Sequence, residues 1–173
     1  MSSIKRGTWT NWAGNQSSRP QWINEPASES DVADIVARAA KSQRTVKAVG
    51  AGHSFTSTAL TSGHLINMGH LNKIVNVDRT NNQVTVEAGI HISDLNEQLF
   101  ELGYAMPNLG DIAYQTISGA ISTSTHGTGS KLTGIAGQVS GLRLVNGHGE
   151  VVDINGQQNP ELLDVARVGV GAL

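Results

Sequence analysis

The stretch that decides the fold is Val46-Lys47-Ala48-Val49-Gly50-Ala51-Gly52-His53-Ser54-Phe55. Its first four residues are typical of a short β-strand, and the glycines that follow predict a tight loop whose backbone can approach a ligand. The loop lacks a third glycine where Phe55 stands, so it does not complete the dinucleotide-binding pattern G-x-G-x-x-G. No Walker-type spacing surrounds Lys131 either. Both common nucleotide-binding folds are therefore excluded.

A second cluster of Gly, Ser and Thr lies at residues 107–129, in a stretch without Lys or Arg between Arg79 and Lys131. A diphosphate bound here would depend on backbone N–H groups, hydroxyls and a helix N-terminus rather than on ammonium charges. The hydroxyls come from Thr116, Ser118, Ser122, Thr123, Ser124, Thr125 and Thr128, and Gly119, Gly127 and Gly129 let the backbone approach. An ordinary flexible loop is the alternative, and composition alone does not decide between the two.

The remaining elements indicate an α+β fold. Ser28 caps a predicted helix that runs to about Gln43, and a second helix begins near Ser93 and stops at Gly103. Alternating apolar residues predict two β-hairpins, and short helices are predicted at residues 116–122 and 160–168. The tryptophans, Trp9, Trp12 and Trp22, are interpreted as core anchors, rather than ligand stackers, in an N-terminal segment of irregular or short-stranded packing.

Composition narrows the function classes. The 173 residues carry a net charge of −2 and only 15% charged side chains, which argues against a coiled coil, a disordered tail and nucleic-acid binding. The absence of Cys excludes disulfides, thiolate nucleophiles and cysteine-bearing metal sites. The six His lack helical ligand spacing, so no metal site is expected. No apolar run approaches a membrane span, and residues 1–8 lack a signal-peptide core, so a cytoplasmic location is expected.

Three segments together resemble the PCMH-type FAD-binding domain of the vanillyl-alcohol-oxidase superfamily. They are the strand and loop at 46–55, Val-Thr-Val-Glu-Ala-Gly at 84–89, and the second cluster, which includes Asn-Leu-Gly-Asp at 108–111 and residues 116–129. Within the superfamily the chain is most similar to the aldonolactone oxidase and alditol oxidase branch, which includes L-gulonolactone and D-arabinonolactone oxidases. The resemblance covers about Trp22 to Leu173. It is specific because two separated motifs, the strand and loop at 46–55 and the second cluster, occur in the right order.

The resemblance implies one FAD-binding domain over residues 1–173, with α+β subdomains at about 20–100 and 101–173 and FAD between them. His53 falls where many members attach the flavin covalently, although some relatives lack this histidine. Asp111 departs from the small or hydroxyl residue often found there, and Gly110 resembles the small residue of members that admit oxygen. The implied FAD contacts are Val49, Gly50, Ala51, Gly52, His53 and Ser54 in the first loop and Gly110, Asp111, Thr116, Gly119, Thr123, Ser124, Thr125, His126 and Gly127 in the second.

The function implied is the FAD-binding half of an oxidoreductase that oxidises a CH–OH group of a sugar lactone or alditol, with oxygen or another acceptor reoxidising the flavin. The substrate domain is absent from this chain, so no substrate base is nominated. The apolar, uncharged residues 168–173 favour a fragment of a longer chain over a natural end that is buried in the core. The resemblance implies a second subdomain truncated at its C-terminal end, and a C-terminal partner fragment, if one exists, would complete the enzyme. The alternatives are an isolated FAD-binding module without turnover and a flavin-free carbohydrate-binding or structural domain.

Overall fold

The computed structural model describes residues 3–173. No helix among them is long and apolar enough to cross a membrane. The strands are β1 (Ser3–Lys5), β2 (Trp9–Thr10), β3 (Ser17–Ser18), β4 (Trp22–Glu25), β5 (Val46–Val49), β6 (His64–Asn67), β7 (Ile74–Asp78), β8 (Gln83–Val86), β9 (Gly141–Val145) and β10 (Val151–Asn155). The helices are α1 (Glu29–Lys41), α2 (Ile92–Glu101), α3 (Ile117–Ser122) and α4 (Leu163–Arg167), with 3-10 turns at Ser57–Ala59, Ile135–Gln138 and Pro160–Leu162.

The first part of the chain forms a four-stranded mixed sheet in the order β1-β4-β6-β5. Strand β1 is antiparallel to β4, whereas β6 runs parallel to both β4 and β5. Helix α1 connects β4 to β5, and the Ser28 hydroxyl caps it by accepting a hydrogen bond from the Asp31 N–H at 3.1 Å. The helix buries Ile35 and Val36 against Ile66 of the sheet. The predicted helix from Ser28 is therefore confirmed, and the sheet holds β5 so that the first glycine loop leaves its C-terminal end.

The second part of the chain is built around two apolar clusters. One combines α2 with the β7–β8 hairpin and buries Ile90, Leu95 and Leu99. The other contains residues of α3 and of the 3-10 turn Ile135–Gln138. Met106 and Ile117 pack against both clusters, so the apolar core is continuous across this half. The predicted subdomain division near residue 100 stays a prediction.

The α+β class predicted from the sequence is confirmed by this mixture of hairpins, helices and a small mixed sheet. Both predicted hairpins form as β7–β8 and β9–β10, and the predicted short helices form at α3 and α4. One expectation is wrong. Trp12 is 65% exposed and does not anchor the core, because its indole ring lies on the first glycine loop instead.

Candidate functional site

The first glycine loop, residues 50–55, joins β5 to the 3-10 turn Ser57–Ala59. Gly52 adopts a positive φ of 69°, which side chains rarely tolerate, and a Cβ there would lie 3.2 Å from the Trp9 ring. Within residues 3–173, the backbone N–H groups of 51–55 donate no hydrogen bond to another protein group. The loop therefore presents free donors of the kind that bind anions.

The β2–β3 hairpin, with the residues that link its two strands, holds this loop from outside. The Trp12 N–H donates to the Gly52 carbonyl at 2.9 Å, and the Asn11 side-chain amide donates to the Ser54 carbonyl at 2.9 Å. Asn11 is only 5% exposed, and its Oδ1 also accepts from the Gln16 N–H at 3.0 Å. A buried amide with all these partners rigidifies its surroundings. The conformation of the loop is thus fixed by a distant segment as well as by its own glycines.

His53 lies at the centre of the first loop and stacks on Trp12. The two ring centroids are 5.0 Å apart and the planes differ by 22°. Phe55 meets the same indole edge-on at 6.4 Å. Among the described residues the His53 ring forms no hydrogen bond, so both imidazole nitrogens are available for chemistry.

The second glycine loop is the Gly, Ser and Thr cluster at residues 107–129, which includes α3. Its buried half is anchored by the segment before α2. The Ile92 N–H donates to the Gln115 carbonyl at 2.9 Å, and the Ile117 and Ser118 N–H groups donate to Ile90 and Ala88 at 2.9 and 3.2 Å. The hydroxyl of Thr116, a residue only 2% exposed, accepts the Gly119 N–H at 3.4 Å. The first N–H groups of α3 are therefore occupied by protein acceptors, and the hypothesis that a helix N-terminus assists a diphosphate is not supported there.

The two loops meet at Gly50 and Thr116. A Cβ built on Gly50 would overlap the Thr116 hydroxyl and lie 2.9 Å from its Cβ. Any side chain at residue 50 would therefore push the loops apart. The two sequence motifs, which are far apart along the chain, are therefore in contact here.

The exposed half of the second loop brings residues 108–111 against residues 125–127. A Cβ on Gly127 would overlap the Leu109 carbonyl oxygen, and one on Gly110 would lie 2.9 Å from the Thr125 methyl group. The side chain of Asp111 is exposed and forms no hydrogen bond or ion pair within residues 3–173. The N–H groups of 126–128 likewise donate to no other group in the described part of the chain. This half also presents free donors, beside a carboxylate that no protein cation neutralises.

The other predicted site residues lie on these two loops. Val49 is buried at the end of β5, and Ala51 and Ser54 are half-buried beside His53. The Thr123 hydroxyl donates to the Gly119 carbonyl at 3.0 Å, and the Thr125 hydroxyl accepts from Gln115 at 3.1 Å. Ser124 has a positive φ of 56°. His126 is exposed, with Nδ1 2.9 Å from the Gly127 carbonyl.

Sequence reasoning missed the supporting side chains of the β2–β3 hairpin. These are Asn11 and Trp12, together with Asn15 and Gln16, whose amides donate to the Phe55 carbonyl at 3.1 and 3.3 Å. The signal was present as a run of amides around a tryptophan in a segment without a periodic apolar pattern. Amides in such a segment are suited to bind the backbone of another loop.

Two clefts in the described part of the chain, of about 530 and 350 Å³, are lined by residues outside both loops. Their linings comprise residues 6–8 and 19–21 in the larger cleft and residues 151–153, 158 and 159 in the smaller one. Neither cleft therefore belongs to the candidate site.

Curated relatives match nearly the whole chain. L-gulono-1,4-lactone dehydrogenase of Mycobacterium tuberculosis is 41% identical over 165 residues, which are 95% of this chain and 38% of the relative. L-gulonolactone oxidase of Mus musculus is 39% identical over 94% of this chain and 37% of its own length. D-arabinono-1,4-lactone oxidase of Candida glabrata is 36% identical over 94% of this chain and 32% of its own length. The chain therefore spans about a third of the length of these relatives.

Solved structures share the fold. A solvent-stable cholesterol oxidase superposes with a TM-score of 0.83 at 18% identity, covering 98% of this chain and 36% of that one. Cholesterol oxidase from B. sterolicum gives a TM-score of 0.73 at 20% identity, over 83% of this chain and 30% of that one. The model of the FAD binding domain family matches residues 20–155, which include both glycine loops. With that match over most of its length, the chain belongs to the FAD binding domain family.

Proposed function

We propose that this chain is the FAD-binding half of an oxidoreductase that oxidises a CH–OH group of an aldono-1,4-lactone or an alditol. The observation that carries the proposal is the meeting of two glycine loops at Gly50 and Thr116, with the half-buried His53 beside them and its ring free of protein hydrogen bonds within residues 3–173. The named activities of the relatives, which are lactone oxidases and a lactone dehydrogenase, support the substrate class. When bound, FAD supplies the acceptor for the hydride that leaves the CH–OH carbon.

The diphosphate of FAD would be held without protein cations. The loops offer the free N–H groups of 51–55 and 126–128, and no Lys or Arg lies between Arg79 and Lys131. Successive backbone N–H groups bind anions well when they converge on a concave surface. Asp111 would have to point away from the diphosphate, because its carboxylate would repel an anion nearby.

His53 would attach the cofactor covalently. An imidazole nitrogen would bond to the methyl carbon on the benzenoid ring of the flavin, replacing the imidazole N–H and one methyl C–H. The two electrons and two protons released would pass to dioxygen and give hydrogen peroxide, so the adduct is lighter than protein plus FAD by two hydrogens. The free nitrogens of His53 and the absence of Cys support histidine as the nucleophile.

Oxidation of the substrate would need this chain, which would hold FAD, and also the part of the relatives that this chain does not match, which would hold the substrate. Gly110 would leave room for oxygen, which favours an oxidase, yet both oxidases and a dehydrogenase occur among the relatives. No residue of this chain is nominated as the substrate base, and turnover would need a partner fragment carrying the substrate domain. The alternative is an FAD-binding module without turnover. The cytoplasmic location expected from the sequence stays a prediction.

A titration of the flavin-free chain tests the cofactor site. We expect FAD to bind at one molecule per chain, followed by the change in flavin absorbance, and riboflavin, which lacks the diphosphate, to bind at least about tenfold more weakly. Gly147→Ala is the matched control for Gly50→Ala, because a Cβ at residue 147 meets nothing within 4 Å whereas one at residue 50 overlaps Thr116. Equal binding of FAD and riboflavin, or no binding of either, would contradict the proposal.

A separate measurement distinguishes the two candidate activities. Oxygen consumption is recorded with L-gulono-1,4-lactone, D-arabinono-1,4-lactone and an alditol, first with the FAD-loaded chain alone and then with any polypeptide that co-purifies with it. Turnover that appears only with the second polypeptide supports the proposed enzyme half. FAD binding without turnover in either sample supports the module.

A further inference from the structure

The indole of Trp12 is exposed to solvent over 65% of its surface, although burial is what ordinarily stabilises so large an aromatic side chain. It lies flat on the imidazole of His53. We infer that Trp12 is a positioning residue that fixes the plane of the His53 ring for attachment to FAD, an inference that rests on the proposed function.

The contacts around His53 divide into backbone and ring contacts. The backbone is tied on both sides, because the Gly52 carbonyl accepts from the Trp12 N–H and the Ser54 carbonyl accepts from the Asn11 amide, each at 2.9 Å. These bonds fix where the side chain begins but leave its ring free to rotate. The stack on Trp12 is the contact that restricts the ring.

A stack suits a nucleophilic imidazole better than a hydrogen bond would. Orientation by hydrogen bonding would occupy one of the two nitrogens, whereas stacking engages the ring face and leaves both nitrogens at the free edge. Within residues 3–173 the His53 ring has no hydrogen bond, in agreement with this arrangement. Holding a reacting group in one orientation is a large source of rate, and small misplacements can cost about 100-fold.

The β2–β3 hairpin lies outside the family match. Strands β2 and β3 fall at residues 9–18, whereas the match to the FAD binding domain begins at residue 20. Asn11, Trp12, Asn15 and Gln16 all direct their polar groups at carbonyls of the first loop. The segment therefore contributes to the site although it lies outside the matched domain.

The test measures the rate of covalent incorporation in air. Flavin-free chain is incubated with FAD, samples are denatured in acid, and flavin fluorescence is read on the protein band, while total FAD uptake is measured separately. We expect Trp12→Leu to take up FAD as the unmodified chain does but to form the covalent bond about 10- to 100-fold more slowly. Trp12→Phe, which keeps an aromatic face, should recover most of the rate. Phe100→Leu, at an 83% exposed aromatic residue, is the control and should leave it unchanged.

Four outcomes would overturn the inference. Trp12→Leu incorporating FAD at the unmodified rate would show that the stack is not needed, and Trp12→Phe as slow as Trp12→Leu would show that the indole serves only to support the hairpin. If Trp12→Leu does not fold, proton NMR of the unmodified chain decides, because a stacked His53 has ring protons shifted by the indole ring current and an unstacked one does not. An unmodified chain that takes up no covalent flavin overturns the proposed attachment itself, and the positioning role with it.

Discussion

Two Trp–His stacks occur in the described part of the chain. Their rings meet at the same interplanar angle, but one stack lies in the core and the other on a surface loop. Trp22 and His64 stack with ring centroids 4.4 Å apart, and Trp12 and His53 with centroids 5.0 Å apart, each at 22°. His64 is 6% exposed and lies on the mixed sheet, with its Nδ1 3.3 Å from the Asn24 amide. His53 lies on a surface loop and its nitrogens have no protein partner within residues 3–173.

The difference shows how surroundings determine what a histidine can do. Burial lowers the pKa of His64 below its ordinary value, and the nearby cations Arg38 and Arg44 lower it further. That ring is a neutral component of the core. The His53 ring has the same aromatic support but is only half-buried, beside free backbone donors and without a protein hydrogen bond within residues 3–173, so it remains available to a ligand.

The largest expected difference between the stacks is in stability. Trp22→Ala removes an indole that packs over a buried ring next to the sheet, and we expect a loss of about 2–3 kcal/mol in the free energy of unfolding. Trp12→Ala removes an indole that is 65% exposed, and the loss should stay below about 1 kcal/mol. Urea unfolding of both variants checks this. Equal losses would mean that the two stacks have the same structural role.

The first glycine loop, which carries His53, meets the second loop at Gly50, and Gly50→Ala would strain that contact. The added Cβ overlaps Thr116, whose side chain is short and buried, so we expect a cost of about 1–3 kcal/mol together with weaker FAD uptake. Gly147→Ala meets nothing within 4 Å and serves as the control. Thermal unfolding and FAD titration measure the two effects. A Gly50→Ala chain as stable as the control would show that the loops do not touch.

Asn11→Ala should loosen the exposed stack without unfolding the protein. The substitution removes the side-chain hydrogen bonds between Asn11 and the backbone of Ser54 and Gln16, at a cost of about 1–2 kcal/mol. We expect amide hydrogen exchange at the Trp12 N–H to quicken by about 5- to 30-fold, the factor that such a cost implies. Asn72→Ala, at an exposed residue without side-chain hydrogen bonds in the described chain, should not change the exchange.

The smallest expected effect is a pH dependence from the buried stack. Because folding lowers the pKa of His64 below the ordinary 6.5, the unfolded chain binds more protons around that pH. Its contribution to stability is complete above pH 6.5 and is lost as the pH falls through the lowered pKa of the folded state. Urea unfolding between pH 7.5 and pH 5 should therefore show a steeper decline for the unmodified chain than for His64→Gln. Identical slopes would contradict this assignment.

Local patterns predicted most of the elements. Helix α1 follows from a Ser cap and an apolar repeat, and the β7–β8 and β9–β10 hairpins follow from alternation around turn residues. Each of these signals is contained in the element itself. The two glycine loops were also predicted, as motifs in a fixed order along the chain.

Contacts between distant segments could not be predicted in the same way. Trp12 was expected in the core because large aromatic residues are usually buried, and only its partner on the first loop explains its exposure. A helix N-terminus was one of the groups considered for a diphosphate in the second cluster, but acceptors at residues 88 and 90 occupy two N–H groups at the start of α3. In both cases the deciding partner is remote in sequence, so neither composition nor periodicity reports it.

The intact mass of the chain under denaturing conditions, after incubation with FAD in air, tests attachment through His53 most directly. We expect a species heavier by one FAD less two hydrogens, with flavin fluorescence on the protein band, and its loss in His53→Ala while FAD is still taken up reversibly. An unmodified mass, or an adduct that persists in His53→Ala, would contradict the claim that His53 is the attachment site.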